Sequence, residues 1–147
     1  MIHRNAGRFE GGWYGSPARR TRMRRAAAGL FLADLRRRPG RYVAGALPRP
    51  PLATGSVDLV LCSHLLFTWA DQLGADRHRA ALAELVRVAR REVRVFPVVV
   101  QGTGEPVAFL DDLRAELAAH GHRARLADVP YRFQRGGTRM LRIGVGG

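Results

Sequence analysis

The run Val57-Asp58-Leu59-Val60-Leu61-Cys62-Ser63 constrains the fold more than any other part of this chain. A short, nearly continuous apolar stretch reads as a strand covered on both faces, the usual state of a parallel strand in an α/β protein. Glu92 to Val100 (EVRVFPVVV) is a second strand of the same kind. Between them, Arg77 to Arg91 carries Leu82, Leu85, Val86 and Ala89 on one face at helical spacing. Two buried strands joined by a helix predict parallel pairing through a right-handed crossover. The first strand is expected at the centre of the sheet, with parallel neighbours and its trailing end opening onto a cleft.

The remainder of the chain extends this pattern. Pro106 opens a helix whose inward stripe is Leu110, Leu113 and Leu117, with Gly121 closing it. Arg123 to Gln134 and Thr138 to Val145 read as strands joined by the turn Arg135-Gly136-Gly137, an antiparallel hairpin. Upstream, Ser16-Pro17 is an N-cap followed by a first-turn proline. Met23, Ala27, Leu30, Phe31 and Leu35 then form the apolar stripe of a helix that Pro39-Gly40 ends. Tyr42 to Ala46 is a short strand candidate, followed by a proline-rich loop to Pro51. Residues 1–15 read as a loose leader and residues 16–147 as a single α/β domain: a basic amphipathic helix over 16–40 and a core over 41–147. A chain of 147 residues supports one core, not two.

The formal net charge of +13 suggests a polyanionic partner. Residues 1–49 hold twelve arginines against Glu10 and Asp34, whereas the rest holds thirteen against ten acidic residues. All basic residues are arginine and none is lysine, a pattern that codon bias in a GC-rich genome produces without selection for charge. The clusters 19–25 and 36–38 are candidate phosphate contacts or, equally, a solvated helix face. No apolar run is long enough to span a bilayer, and the first fifteen residues lack the pattern of a signal peptide. With Cys62 the only cysteine, no disulfide framework forms, and the expected compartment is the cytoplasm.

From Tyr42 onward the sequence resembles class I S-adenosylmethionine-dependent methyltransferases. The segment PPLATGSVDLVLCSH (50–64) is similar to that family's "LPFxDxSFDxVxxS" loop and fourth strand. Glu84-Leu85-Val86-Arg87-Val88 is similar to its "E-hydrophobic-x-RV" helix end, and the closing hairpin to its antiparallel sixth and seventh strands. The resemblance implies a truncated Rossmann-like methyltransferase sheet, mostly parallel with an antiparallel hairpin at the end. It also implies S-adenosylmethionine as cofactor and methyl transfer to an acceptor it does not identify. The glycine-rich loop that grips the cofactor in that family is expected to be missing, since nothing upstream of Tyr42 reads strand-GxGxG-helix and Gly11-Gly12 leads into Trp13-Tyr14.

The same resemblance places Ala44, Gly45 and Ala46, with Cys62 and Ser63, along the cofactor edge. Ala46 falls where the family has an adenine-contacting aspartate, and Thr54 where it has an acidic residue. His64 is the candidate general base or acceptor contact, against the plainer reading of a histidine packed at a strand–helix junction. A Cys62–His64 nucleophilic pair also fits two residues sharing a strand face. Phe67 and Trp69 either wall a pocket or cover the end of the core. Gly102-Thr103-Gly104 has the position of a phosphate-cradling turn, but Val107 stands where the third glycine would be. No histidine or cysteine spacing predicts a metal site. If strands precede Tyr42 elsewhere but not here, the sheet keeps a free edge, and a homodimer or partner subunit is expected to cover it.

Overall fold

A computed structural model describes residues 15–146. The leader therefore lies outside the described residues except for Gly15. Four strands form one open sheet in the order β1-β2-β4-β3: β1 (Val57–Ser63), β2 (Ala89–Phe96), β3 (Arg123–Asp128) and β4 (Arg139–Gly144). β1 and β2 are parallel, while β2–β4 and β3–β4 are antiparallel. The fold is α/β with a mixed Rossmann-like sheet, and its parallel part is a single pair rather than most of the sheet. That follows from the edge position of β1, which among the described residues has a neighbour on one side only.

Two helices cover one face. α2 (Ala70–Val88) joins β1 to β2, and α3 (Leu110–Ala119) joins β2 to β3. Leu82, Leu85 and Val86 of α2 and Leu110, Leu113 and Leu117 of α3 pack on Val93, Val95, Leu141 and Ile143 in one core. Leu82 and Leu113 are 1% and 2% exposed, and the three strand residues Val93, Leu141 and Ile143 are fully buried. α2 starts earlier than its periodicity suggests, and Gly74, at φ 66°, breaks the helical backbone between its first residues and the rest. Within this helix His78 is fully buried, stacked on Phe67 and donating from Nδ1 to the Gly74 carbonyl.

Register alternation separates the two sheet faces. Val60 and Cys62 of β1 lie beside Val93 and Val95, facing the helices; Leu59, Leu61 and Ser63 lie beside Glu92, Arg94 and Phe96, facing away. Among the described residues no helix packs on that second face. Leu59 and Leu61 are 41% and 68% exposed, so β1 is covered on one face rather than both.

α1 (Pro17–Arg37) forms as its caps dictate: the Ser16 hydroxyl accepts from the Arg19 N–H, and Pro17 occupies the first turn. Its apolar stripe, however, buries nothing. Leu30 is 75% exposed, and Met23 and Phe31 are about half exposed. Among the described residues the helix is anchored near its end, where Phe31 meets Tyr42 edge-on and the Tyr42 hydroxyl donates to Asp34 at 2.8 Å. Tyr42 to Ala46 forms no strand. A 3-10 turn spans Pro39–Arg41, and Ala46 makes one isolated bridge to Arg49 across the proline-rich turn. With no sheet neighbour beside it, and prolines at 48, 50 and 51, the segment has no ladder to join. In the hairpin, the strands end at Asp128 and resume at Arg139, leaving a ten-residue connection whose Gln134–Gly137 turn sits where Arg135-Gly136-Gly137 predicts.

Candidate functional site

Three of the predicted site residues, Cys62, Ser63 and His64, lie at the carboxyl end of β1, and a single backbone feature sorts them. His64 has φ 53°, the one non-glycine residue with a left-handed backbone among those described. This turn lifts the chain off the sheet plane while the His64 N–H still donates to the Phe96 carbonyl at 2.7 Å. Cys62 stays on the helix-covered face, 6% exposed, and burial raises its thiol pKa. Ser63 lies on the opposite face, its Oγ 2.9 Å from His64 Nδ1. The left-handed turn breaks the alternation that would put Cys62 and His64 on one face, so these two do not form a nucleophilic pair.

The His64 ring is half-buried among aromatics. Phe96 and Phe133 each meet it edge-on with centroids 5.6 Å away, and Tyr131 lies against both Phe96 and Phe133. Its Nε2 is buried without a hydrogen-bond partner. Burial lowers the imidazole pKa, since removing water disfavours the charged form. The ring is therefore neutral at neutral pH. If Ser63 donates to Nδ1, Nε2 carries the proton; in the other tautomer Nε2 presents a lone pair. The lone pair is the form able to take a proton from an acceptor.

An apolar pocket of about 490 Å³ lies between the segment 43–52 and residues 65–73. Gly45 and Ala46 line it, together with Val43, Leu47, Pro50, Pro51, Leu52, Leu65, Leu66 and Leu73; Ala44 is not on the lining. A Cβ on Gly45 would come within 2.7 Å of the Pro51 ring, so the glycine lets the loop fold back on itself. The pocket contains no charged side chain.

Phe67 is fully buried against His78, whereas Trp69 is 42% exposed on the rim. Asp58 receives Arg90 at 2.8 Å, tying the start of β1 to β2, and Arg90 holds its carboxyl below the usual range. Arg87 grips Glu84 and also reaches the Thr54 hydroxyl and the Leu52 carbonyl, which fixes the loop before β1. Gly102-Thr103-Gly104 does not open a helix, since α3 begins at Leu110. Instead Gly104, at φ 75°, lies against the Arg135 carbonyl, where a Cβ would sit 2.5 Å away; Gly136 makes the reciprocal approach to Gly104. These glycines let two backbone turns touch. Among the described residues no group of histidine, cysteine or acidic side chains is arranged to hold a metal. No described helix is long and apolar enough to cross a membrane.

Phe96, Tyr131 and Phe133 were not legible as site residues. Parity along β2 places Phe96 on the open face with Glu92 and Arg94, but nothing local indicates that the 129–138 connection folds back over it.

A crossover from an edge strand through a helix to a parallel partner, with an antiparallel pair completing the sheet, defines a Rossmann-like α/β protein. The methyltransferase-domain family matches residues 19–96, just over half of the chain, and this protein belongs to that family. A 113-residue stretch is 27% identical to an uncharacterized protein of Methanocaldococcus jannaschii, covering 77% of this chain and 48% of that protein. The chain thus spans about half the length of that relative. No solved structure matches it.

Proposed function

We propose that this chain contributes the adenine pocket and the acceptor-side rim of an S-adenosylmethionine-dependent methyltransferase. The observation that carries this reading is the apolar pocket bordered by Gly45 and Ala46, from the loop that the resemblance aligns with adenine contacts, and by Leu65, the residue after His64. The cofactor, when bound, supplies an electrophilic methyl group. The chain's own task is chiefly to hold an acceptor in line with that methyl, which lowers the barrier by proximity. His64, neutral and held at Nδ1 by Ser63, takes the acceptor's proton at Nε2 in the tautomer that leaves the lone pair there. Grip on the ribose and amino-acid ends must come from residues outside this pocket.

Calorimetric titration with S-adenosylmethionine and with adenosine tests the reading. Both are expected to bind in the micromolar to millimolar range, and Ala46→Trp, which fills the pocket, is expected to abolish binding of both. Binding that survives Ala46→Trp, or no heat with either compound, refutes it.

A second reading is favoured by the free edge of β1 and the exposed Leu59, Leu61 and Leu30. Unpaired backbone groups beside apolar side chains pair readily with another chain. The protein then acts as a partner subunit, and a homodimer is the simplest form. Two copies, each carrying +13, repel at low salt, so association is expected to strengthen as salt is raised. A monomeric mass at micromolar concentration across the salt range would eliminate it.

A further inference from the structure

Between α2 and α3 runs an apolar groove of about 600 Å³, with Leu82, Val86, Leu113 and Leu117 of the core at its base and the exposed Ala83 on its wall. From Arg79 to Arg87 it follows α2 for two turns, about 12 Å. Both of these arginines are neutralised where they stand. Arg79 forks onto the Glu116 carboxylate of α3 at 2.6 and 2.7 Å and also holds Asp76, while Arg87 grips Glu84 at 2.9 Å. In a chain of net charge +13, α2 and α3 together carry six acidic residues against four arginines. Among the described residues nothing lies in the groove.

The helix α1 has the complementary features. Between Arg25 and Asp34 its residues 26–33 (AAAGLFLA) carry no charge, a stretch of about 12 Å that equals the groove in length. All eight are exposed, Leu30 and Phe31 included. Glycine is unfavourable inside a helix, but Gly29 has nothing near its absent Cβ and lets a second helix approach closely. The flanks are strongly basic, with seven arginines in α1 against Asp34 alone. A partner that took only the basic helix would leave the groove open, and one that filled only the groove would leave the stripe in water. Each satisfies the other. Within one copy they are kept apart: the loop that carries α1 packs on residues 65–73, at the start of α2, and the Tyr42–Asp34 bond ties the helix end to that loop. The groove lines the second half of α2.

We infer that two copies of this chain exchange α1, each seating residues 26–33 in the α2–α3 groove of the other, with the flanking arginines set against the acidic residues of those helices. Exchange of an identical element makes the contact reciprocal, so assembly closes at a dimer. The interface uses neither the free edge of β1 nor the pocket at Gly45, and rests on neither reading given above.

The test is sedimentation velocity on the whole chain from about 5 to 200 µM, since two helical turns per site make a small contact with a dissociation constant in about the tens of micromolar. Ala27→Glu/Leu30→Glu on the helix and Ala83→Arg on the groove wall should each raise that constant about tenfold or more. All three side chains are exposed, so melts of these variants at about 5 µM should match the parent. Leu61→Lys, on the β1 edge, should leave the constant unchanged. Leu30→Cys/Ala83→Cys treated with a short bismaleimide should run as a covalent dimer on a denaturing gel, the buried Cys62 being left unmodified. Four results would overturn the inference: a monomer at the highest concentration; a dimer indifferent to Ala83→Arg or to Ala27→Glu/Leu30→Glu; a dimer lost only with Leu61→Lys; or a cross-link that closes within one chain.

Discussion

Replacing Glu92 by glutamine should make the fold less stable at neutral pH by an amount that acid removes. The carboxylate lies between Arg94 and Arg142, and these two partners hold its pKa at about 2 against an ordinary 4.5. Converted in full, that depression corresponds to roughly 3 kcal/mol of stability. Water reaches the group, since the Glu92 side chain is 21% exposed and its partners 37% and 31%. Screening at that exposure reduces the expected contribution to about 1–2 kcal/mol. Because the folded pKa is the lower one, this stabilisation is complete above pH 4.5 and disappears as the pH falls through 2. Urea unfolding followed by circular dichroism should show Glu92→Gln less stable than the parent by about 1–2 kcal/mol at pH 7. The gap should narrow below pH 4.5 and close near pH 2. Glutamine keeps the size of the side chain, so a gap independent of pH would mean that packing, not charge, is at stake. Equal stability at pH 7 would mean that the two ion pairs only offset the cost of setting Arg94 opposite Arg142.

The core and the first helix should respond in opposite ways. Leu113→Ala, at a side chain 2% exposed between α3 and the sheet, should cost about 3 kcal/mol and lower Tm by about 10 °C in a thermal melt. Ser16→Ala removes the hydroxyl that accepts from the Arg19 N–H and should weaken α1 by about 1 kcal/mol. Because α1 buries none of its residues, that loss should appear as reduced helicity at 222 nm with an unchanged Tm for the core. A fall in core Tm of several degrees would mean that α1 is packed on the sheet in solution.

The elements of the core were readable because their signals agree at every level. Leu110, Leu113 and Leu117 repeat at helical spacing, are bounded by Gly121, and are buried where that spacing places them. The parallel pair is legible from two apolar runs with a helix between them. What failed was each inference that depended on a neighbour. An apolar run such as Val57–Ser63 has the same composition at a sheet centre as at an edge, and only the presence or absence of an adjoining strand decides which it is. The α1 stripe is a correct reading of periodicity, but periodicity shows only that a face is apolar and cannot show that something covers it. Tyr42–Ala46 reads as a strand for the same reason: extended apolar residues become a strand only when a ladder is beside them.

The site divides along the same line. The position of His64 follows from local sequence, because the residue leaving a buried strand lies at the sheet's carboxyl edge. Its surroundings do not. Phe96 is thirty-two residues away and reaches it through the parallel register, and Phe133 through a connection whose path depends on Gly104 and Gly136 approaching each other across the gap. A row of arginines across the sheet is hidden more completely. Arg94, Arg125 and Arg142 are unremarkable among twenty-five arginines and align only once β2, β4 and β3 pair in that order. Counting charge directs attention to the first forty-nine residues, where it is densest. Yet the helix there spreads its arginines around a solvated surface, whereas the sheet sets fewer of them in a line.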